Sequence, residues 1–280
     1  MSLDLTLLGT SWETPERTWT ADDAILYALG VGAGGTDPGA ELPFTTENFQ
    51  GHSQRVLPTF AILLSSGTGP ELGDFDHRTI LHAEQSLTLH RALPAAGTAR
   101  TRSRITAFLD KGKDALAVIE SVLVDAADRQ ELARSRSTLF LPGQGGFGGE
   151  RGTPAAWSRP DRAPDHVITD TVQPHQALLY RLNGDRNPLH SDPKTAAKLG
   201  FPRPILHGLC TYGFAGRALL RTLCDEDPDR FGGMTVRFAA PVLPGQELTT
   251  DIWDEGDRIA FQARVGDTVV LDRGTFTPNG

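Results

Sequence analysis

The chain is poor in cysteine, in long apolar runs and in positive charge. Its 2 cysteines, Cys210 and Cys224, lie in one stretch that reads as helix. About four turns separate them at 3.6 residues per turn, so one continuous helix could not bridge them. A disulfide scaffold is therefore unsupported, and a reducing compartment is expected. No run of residues has the length and apolarity of a bilayer-spanning helix. Leu3 to Leu8 is too short for the core of a secretion signal and carries Asp4. The closing Pro278-Asn279-Gly280 does not read as a peroxisomal address, so cytoplasm is the expected location. The formal net charge of -8 argues against a general nucleic-acid binder, whose affinity would come from a basic surface. It leaves room for an anionic small ligand met by a local basic patch. What is present is a 39% hydrophobic share over 280 residues, enough for a sizeable core.

A break in composition from Pro142 to Pro164 is dense in glycine and proline and reads as a linker. It divides the chain into halves at 1–141 and 165–280. Within it, Gly143-Gln144-Gly145-Gly146-Phe147-Gly148 has the spacing of a dinucleotide loop. Such a loop needs a helix behind it to meet the pyrophosphate, and here more glycines, prolines and Arg151 follow. The two halves repeat one order of parts. Tyr27-Ala28-Leu29-Gly30 is similar to Tyr180-Arg181-Leu182-Asn183-Gly184. A proline-led apolar stretch comes next, Pro58 to Leu64 in the first half and Pro204 through Leu219 in the second. Strand patterns close each half: Leu87 and Leu89, and the near-continuous Ala115 to Val124; then Val236 and Phe238, Leu248-Thr250-Ile252 and Ile259-Phe261-Ala263-Val265. A buried helix with antiparallel strands, given twice, indicates an α+β chain built by duplication.

The chemistry concentrates between Tyr180 and Gly208. Asn183-Gly184-Asp185 is turn chemistry, read here as following an apolar strand. Pro188 fixes one backbone angle and restricts Asn187 before it. A turn stiffened in this way can hold Asp185 and His190 in fixed relation, as a general acid/base pair requires. Ser191 or Asp192 can cap a short helix that starts at Pro193 and ends by Gly200. Gly208 stands near the start of the buried helix, where the first N–H groups have no internal partner and no Cβ blocks a carbonyl. Taken one at a time, Asp185, His190 and His207 read as turn or structural residues rather than as catalytic ones. Lys111 suits a phosphate as a point charge, or is a solvated turn lysine beside Lys113. Arg100, Arg102 and Arg104 alternate along one strand face and read as solvated.

The whole string Gly184-Asp185-Arg186-Asn187-Pro188-Leu189-His190 resembles the Gly-Asp-x-Asn-Pro-x-His signature of the (R)-specific enoyl-CoA hydratases, the hydratase 2 or MaoC-like dehydratase family. Leu81-His82-Ala83-Glu84-Gln85, Leu93-Pro94, Leu109-Asp110-Lys111-Gly112-Lys113 and Gly145-Gly146-Phe147-Gly148-Gly149 resemble the first half of the double-hotdog members, so the resemblance covers nearly the whole chain. It implies a double hotdog: two antiparallel sheets, each wrapped around a central helix. It implies (R)-specific hydration of a trans-2-enoyl-CoA to the (R)-3-hydroxyacyl-CoA, reversibly, in fatty-acid or steroid side-chain metabolism. Asp185 and His190 match the catalytic pair, Asn187 the supporting polar residue, and Gly208 the backbone donor to the thioester carbonyl. His82, Ala83, Lys111 and Phe238 fall where the family contacts the CoA thioester; Arg186, Pro188 and Leu189 join them on the catalytic loop. Ala83 departs from the usual glycine.

The expected partner is an acyl-CoA thioester, with no nucleic acid or membrane, and a homodimer is the expected assembly. No cofactor is expected beyond the CoA that the substrate carries, and no metal. A hotdog thioesterase and a non-catalytic acyl-CoA-binding subunit are the alternatives. The first half has Val31 or Gly32 where the second has Asp185, and no histidine follows until His52. Its helix, Pro58 to Ser65, is short. This half is expected to lack chemistry and to house the acyl chain, with Leu57, Phe60, Ile62 and Leu63 as lining.

Overall fold

The computed structural model describes residues 2–48, 50–51, 53–153, 156–256 and 258–279. His52, Pro154 of the expected linker and Gly280 lie outside them. The first half contains β1 (Ser11–Glu13), β2 (Arg17–Trp19), α1 (Ala21–Gly30), α2 (Leu42–Thr45), α3 (Phe60–Ser65), β3 (Leu81–Leu89), β4 (Gly97–Asp110), β5 (Ala115–Asp125) and β6 (Glu131–Leu141). The second contains β7 (His166–Thr171), α4 (Gln176–Tyr180), α5 (Pro193–Lys198), α6 (Gly208–Leu223), β8 (Phe231–Phe238), β9 (Glu247–Asp254), β10 (Ile259–Val265) and β11 (Thr268–Pro278). Strand alternation predicts the sheet well: the Ala115 to Val124 run becomes β5, flanked on both sides by β4 and β6. One expectation fails. The residues before Asn183 form α4 and a following 3-10 turn, not a strand.

Among the described residues the strands make one antiparallel sheet, ordered β1-β4-β5-β6-β3-β8-β11-β10-β9-β7 with β2 beside β4. The two half-sheets join where β3 pairs β8, with Glu84 opposite Arg237 and Thr88 opposite Gly233. A Cβ on Gly233 would lie 2.5 Å from the Leu87 carbonyl oxygen, so the seam needs glycine there. One end of the sheet wraps α3 and the other wraps α6, giving the double hotdog. The two central helices are unequal: α3 has 6 residues and α6 has 16. Between the wrapped helices, α1 packs on α4, the duplicated tyrosines meeting as Tyr27 and Tyr180 at 6.4 Å between ring centroids. Arg100 and Arg102 lie on an exposed face and pair with Glu16 and Glu13, in keeping with the solvated reading.

Two polar devices fix the connections. The glycine run after β6 is not a nucleotide loop. The N–H groups of Gly146 and Gly148, with that of Gly112, donate to the Asp110 carboxylate at 3.0, 2.7 and 2.8 Å. These donors hold Asp110 below the usual carboxylate range. The run thus folds back over the β4–β5 turn and ties the start of the connection to the first half. The second device crosses the halves. Arg217 of α6, 2% exposed, donates to both Glu41 carboxylate oxygens at 3.0 and 2.6 Å and to the Val31 carbonyl at 2.9 Å. Asp170 on β7 completes the cluster, 3.5 Å from Arg217 and 2.9 Å from Arg221.

Candidate active site

The Gly184–His190 segment is held by its own side chains. Gly184 has φ +129°, a conformation that L side chains rarely adopt. Asp185 Oδ1 accepts the Asn187 N–H at 3.0 Å, which closes an Asx turn and leaves the second carboxylate oxygen unclaimed at an exposed position. Asn187 caps the single turn Pro188–His190, its side-chain oxygen accepting the Leu189 N–H at 3.0 Å. Asn187 therefore orients the backbone that carries His190. Behind this segment, Asp192 caps α5 through the Lys194 and Thr195 N–H groups, with Pro193 first in the helix and Gly200 at φ +86° beyond its end.

His190 is 8% exposed. Its Nδ1–H donates to the Ile205 carbonyl at 2.9 Å. A carbonyl only accepts, so the neutral ring keeps its lone pair on Nε2. Burial pushes the His190 pKa down, against smaller upward pulls from that carbonyl and from Asp185. His207 stacks on it, centroids 3.7 Å apart and planes at 25°. The His207 Nε2–H donates to the Asp185 backbone carbonyl at 3.3 Å, and its other face meets Tyr180 at 4.9 Å. Burial, and then the neighbouring His190, push His207 down to about 4. One ligand-capable atom from each of Asp185, His190 and His207 lies within 4.8 Å of the others. That set could in principle hold a metal ion. The His207 Nε2–H is engaged by the Asp185 carbonyl, while the His190 Nε2 is left for proton transfer.

Gly208 opens α6, and His207 before it makes no side-chain cap. Among the described residues the Gly208 N–H has no acceptor, and the residue is exposed. A Cβ here would sit 3.3 Å from the Phe238 ring, so glycine keeps both the ring and an incoming oxygen close. Phe238, at the end of β8, also meets His82 at 4.9 Å. The structure thus brings His82 and Phe238 to Gly208 across the seam of the two halves. Ala83 lies at a bulge between His82 and Glu84 in the β3–β6 pairing. The His82 Nε2 is buried without a partner, and burial pushes the ring down to about 4. Arg186 and Pro188 are exposed on the catalytic loop and Leu189 is half-buried. Lys111 stands apart, in the β4–β5 turn. That turn is at the same end of the sheet as His82 but three strands away, roughly 14 Å at the usual strand spacing. Its Nζ donates to the Arg151 carbonyl.

The first half holds a cavity of about 420 Å³ between the end of α3 and β4, β5 and β6. Leu139, one of its walls, is the cross-strand partner of His82. Of the four lining residues expected from sequence, Ile62 faces this cavity, while Leu57, Phe60 and Leu63 belong to the core around α3. Sequence reasoning also left His207 as a structural histidine. The signal was the His207-Gly208 pair at a helix start, where a side chain falls beside the first free N–H.

The comparisons agree with this geometry. A MaoC like domain matches residues 156–273, and the MFE-2 hydratase 2 N-terminal domain matches residues 18–143. The chain is 44% identical to the 3-hydroxyacyl-thioester dehydratase Y of Mycobacterium tuberculosis, with 98% of each chain covered. It is 39% identical to the peroxisomal enoyl-CoA hydratase 2 of Arabidopsis thaliana, over 92% of this chain and 89% of that one. The crystal structure of a MaoC-like dehydratase from Phytophthora capsici superimposes with a TM-score of 0.88 at 32% identity, covering 100% of this chain and 98% of the other. With both halves matched and the signature loop bringing Asp185 and His190 together, the chain belongs to the MaoC-like dehydratase family, in its two-half hydratase 2 form.

Proposed function

We infer that the protein is a hydro-lyase that catalyses the reversible, (R)-specific hydration of trans-2-enoyl-CoA to (R)-3-hydroxyacyl-CoA. The observation that carries this reading is that Asp185, His190 and His207 each bring a polar atom within 4.8 Å of the others, with the Gly208 N–H, free among the described residues, next to His207 at the head of α6. A water held between Asp185 and His190 gives its oxygen to C3. The pair takes up the proton that the water loses and returns one to C2, so the elements of water add across the double bond. Negative charge gathers on the thioester oxygen and meets the Gly208 N–H, aided by the positive end of the α6 dipole. His82 and Phe238 border the thioester, and the cavity beyond Leu139 receives the acyl chain, which favours medium, long or bulky substrates. Arg186 and Lys111 supply positive charge for the CoA phosphates. CoA arrives with the substrate and no further cofactor enters the reaction.

The test is one assay panel of enoyl-CoAs from crotonyl to long-chain, with chiral separation of the product. Loss of the conjugated double bond with (R) product supports the reading. Thiol release from saturated acyl-CoA, or an (S) product, overturns it. Among the described residues no helix is long and apolar enough to cross a membrane. A cytoplasmic location and a homodimer are the accompanying expectations, open to fractionation and sedimentation.

A further inference from the structure

The cavity of the first half is unusual in its polarity. Hotdog strands facing a central helix ordinarily present apolar side chains to it. Here Ser103 on β4, Ser121 on β5 and Ser135 on β6 stand opposite one another in register, forming a row across three adjacent strands. All three are buried, at 5%, 8% and 8% exposure, and all three line the cavity. The helix that would have covered them ends at Ser65. Ser103 and Ser121 share one hydrogen bond of 2.8 Å, which leaves that pair a spare hydroxyl proton. Ser135 has no side-chain partner among the described residues. In the β1–β4 pairing Trp12 stands opposite Ser103 and extends the row, and among the described residues its buried indole N–H has no acceptor. A buried donor left unpaired is unfavourable until a ligand atom accepts from it. One row across the cavity therefore carries N–H and O–H donors without acceptors, and none of its residues contributes to the acid/base site.

We propose that this cavity selects an acyl group carrying an oxygen substituent (hydroxyl, keto or ether) far from the thioester, which accepts from Trp12 and bonds the serine row. The proposal rests on the hydratase reading above and specifies its substrate class. Position follows from the strand. Leu139, Ser137 and Ser135 share one face of β6, and the four steps from Leu139 to Ser135 span roughly 13 Å. Three extended single bonds cover about 3.5 Å, so the oxygen belongs roughly a dozen bonds beyond the point where the chain passes His82.

The experiment compares paired 2-enoyl-CoAs of equal length, alkyl against hydroxylated, with the hydroxyl walked along the distal chain. It uses the wild type, Trp12→Phe, Ser135→Ala and the double variant, with crotonyl-CoA as the common reference. Trp12→Phe keeps an aromatic ring and removes the donor. The expected result is a kcat/KM preference of about 3–10-fold for one hydroxyl position, the range of a neutral hydrogen bond. The preference falls to about 1 in the double variant, and crotonyl-CoA turnover stays unchanged throughout. A wild type that hydrates both members of every pair equally, or prefers alkyl, overturns the proposal and leaves the hydratase reading standing. A wild type that hydrates neither crotonyl-CoA nor any longer substrate overturns the hydratase reading itself. Should a variant lose crotonyl turnover through misfolding, the wild-type hydroxyl walk still decides the matter.

Discussion

In the proposed mechanism His190 acts as a base, which requires a neutral ring, and two features of its surroundings favour that form. The Ile205 carbonyl claims Nδ1–H, and burial disfavours the imidazolium. Because the His190 pKa lies below the ordinary 6.5, kcat/KM should hold through neutrality and fall only as acid protonates Nε2. A pH profile with its acid limb at or above the ordinary histidine value would deny His190 that role. Asp185→Asn and His190→Gln should each lower kcat by about 10²–10⁴, the usual worth of a positioned acid/base group. Circular dichroism must show both variants folded; near-wild-type turnover by either removes that residue from the chemistry. The same burial has a stability consequence. His82 and His207 fall from 6.5 to about 4 in the folded chain. As pH drops below 6.5 the unfolded chain takes up protons first, so stability is lost down to about 4 and then levels. Denaturant midpoints that stay flat across that window would mean both rings are already charged in the folded state.

A single turn, Pro188–His190, carries the base, and Asn187 makes it a turn by accepting the Leu189 N–H. Asn187→Ala should cost about 1 kcal/mol of stability as a lost cap. It should lower kcat more than it raises KM, because His190 is misaimed while the binding surfaces remain. Asn187→Ser, which can still cap, should restore most of kcat; equal loss in both variants would point to direct contact with substrate instead. This element was legible in the sequence because the acid, the cap, the proline and the base lie within six residues, and local rules govern each. Gly208 was legible for a similar reason, as the first residue of a helix marked by its apolar run. The context of these elements was not. Apolar Ala177, Leu178 and Leu179 suit a short strand or a short helix equally, and burial of Gln176 and Ala177 against α1 decides for helix. The stack of His207 on His190 joins residues 17 apart across α5 and the loop after it, a span that sets no fixed separation. Nor did the glycine run announce that it serves Asp110, 36 residues earlier.

At the scale of the whole molecule, the proposed reading gives the chemistry to the second half and leaves the first as its support. The counterpart of the catalytic turn begins Gly30-Val31-Gly32, and each residue receives something from the second half. A Cβ on Gly30 would lie 2.9 Å from Asn183 Nδ2, and one on Gly32 2.4 Å from the Phe214 ring, so both positions admit close approach. The Gly30 carbonyl accepts from Gln176 at 2.7 Å, and the Val31 carbonyl accepts from Arg217 at 2.9 Å. Arg217 in turn grips Glu41, 176 residues away, a distance over which no sequence pattern speaks. Glu41→Gln leaves the Arg217 charge buried with Asp170 as its remaining charged partner. Breaking a buried pair from one side costs about 3–5 kcal/mol, so the variant should unfold at markedly lower denaturant. An unchanged midpoint would show that the cluster is solvated in solution. The same replacement of function by support fixes the number of sites. A second site would need an acid, a base and a free helix N–H in the first half. Val31 is fully buried, Gly32 has no side chain, and the N-terminal side of α3 is covered by Thr59 and Leu57, both 1% exposed. The chain should therefore bind one equivalent of a tight 3-hydroxyacyl-CoA analogue, and Asp185→Asn alone should silence all turnover. Calorimetric titration that returns two equivalent sites per chain, or residual hydration of half the wild-type rate in Asp185→Asn, would show that the first half has kept a site of its own.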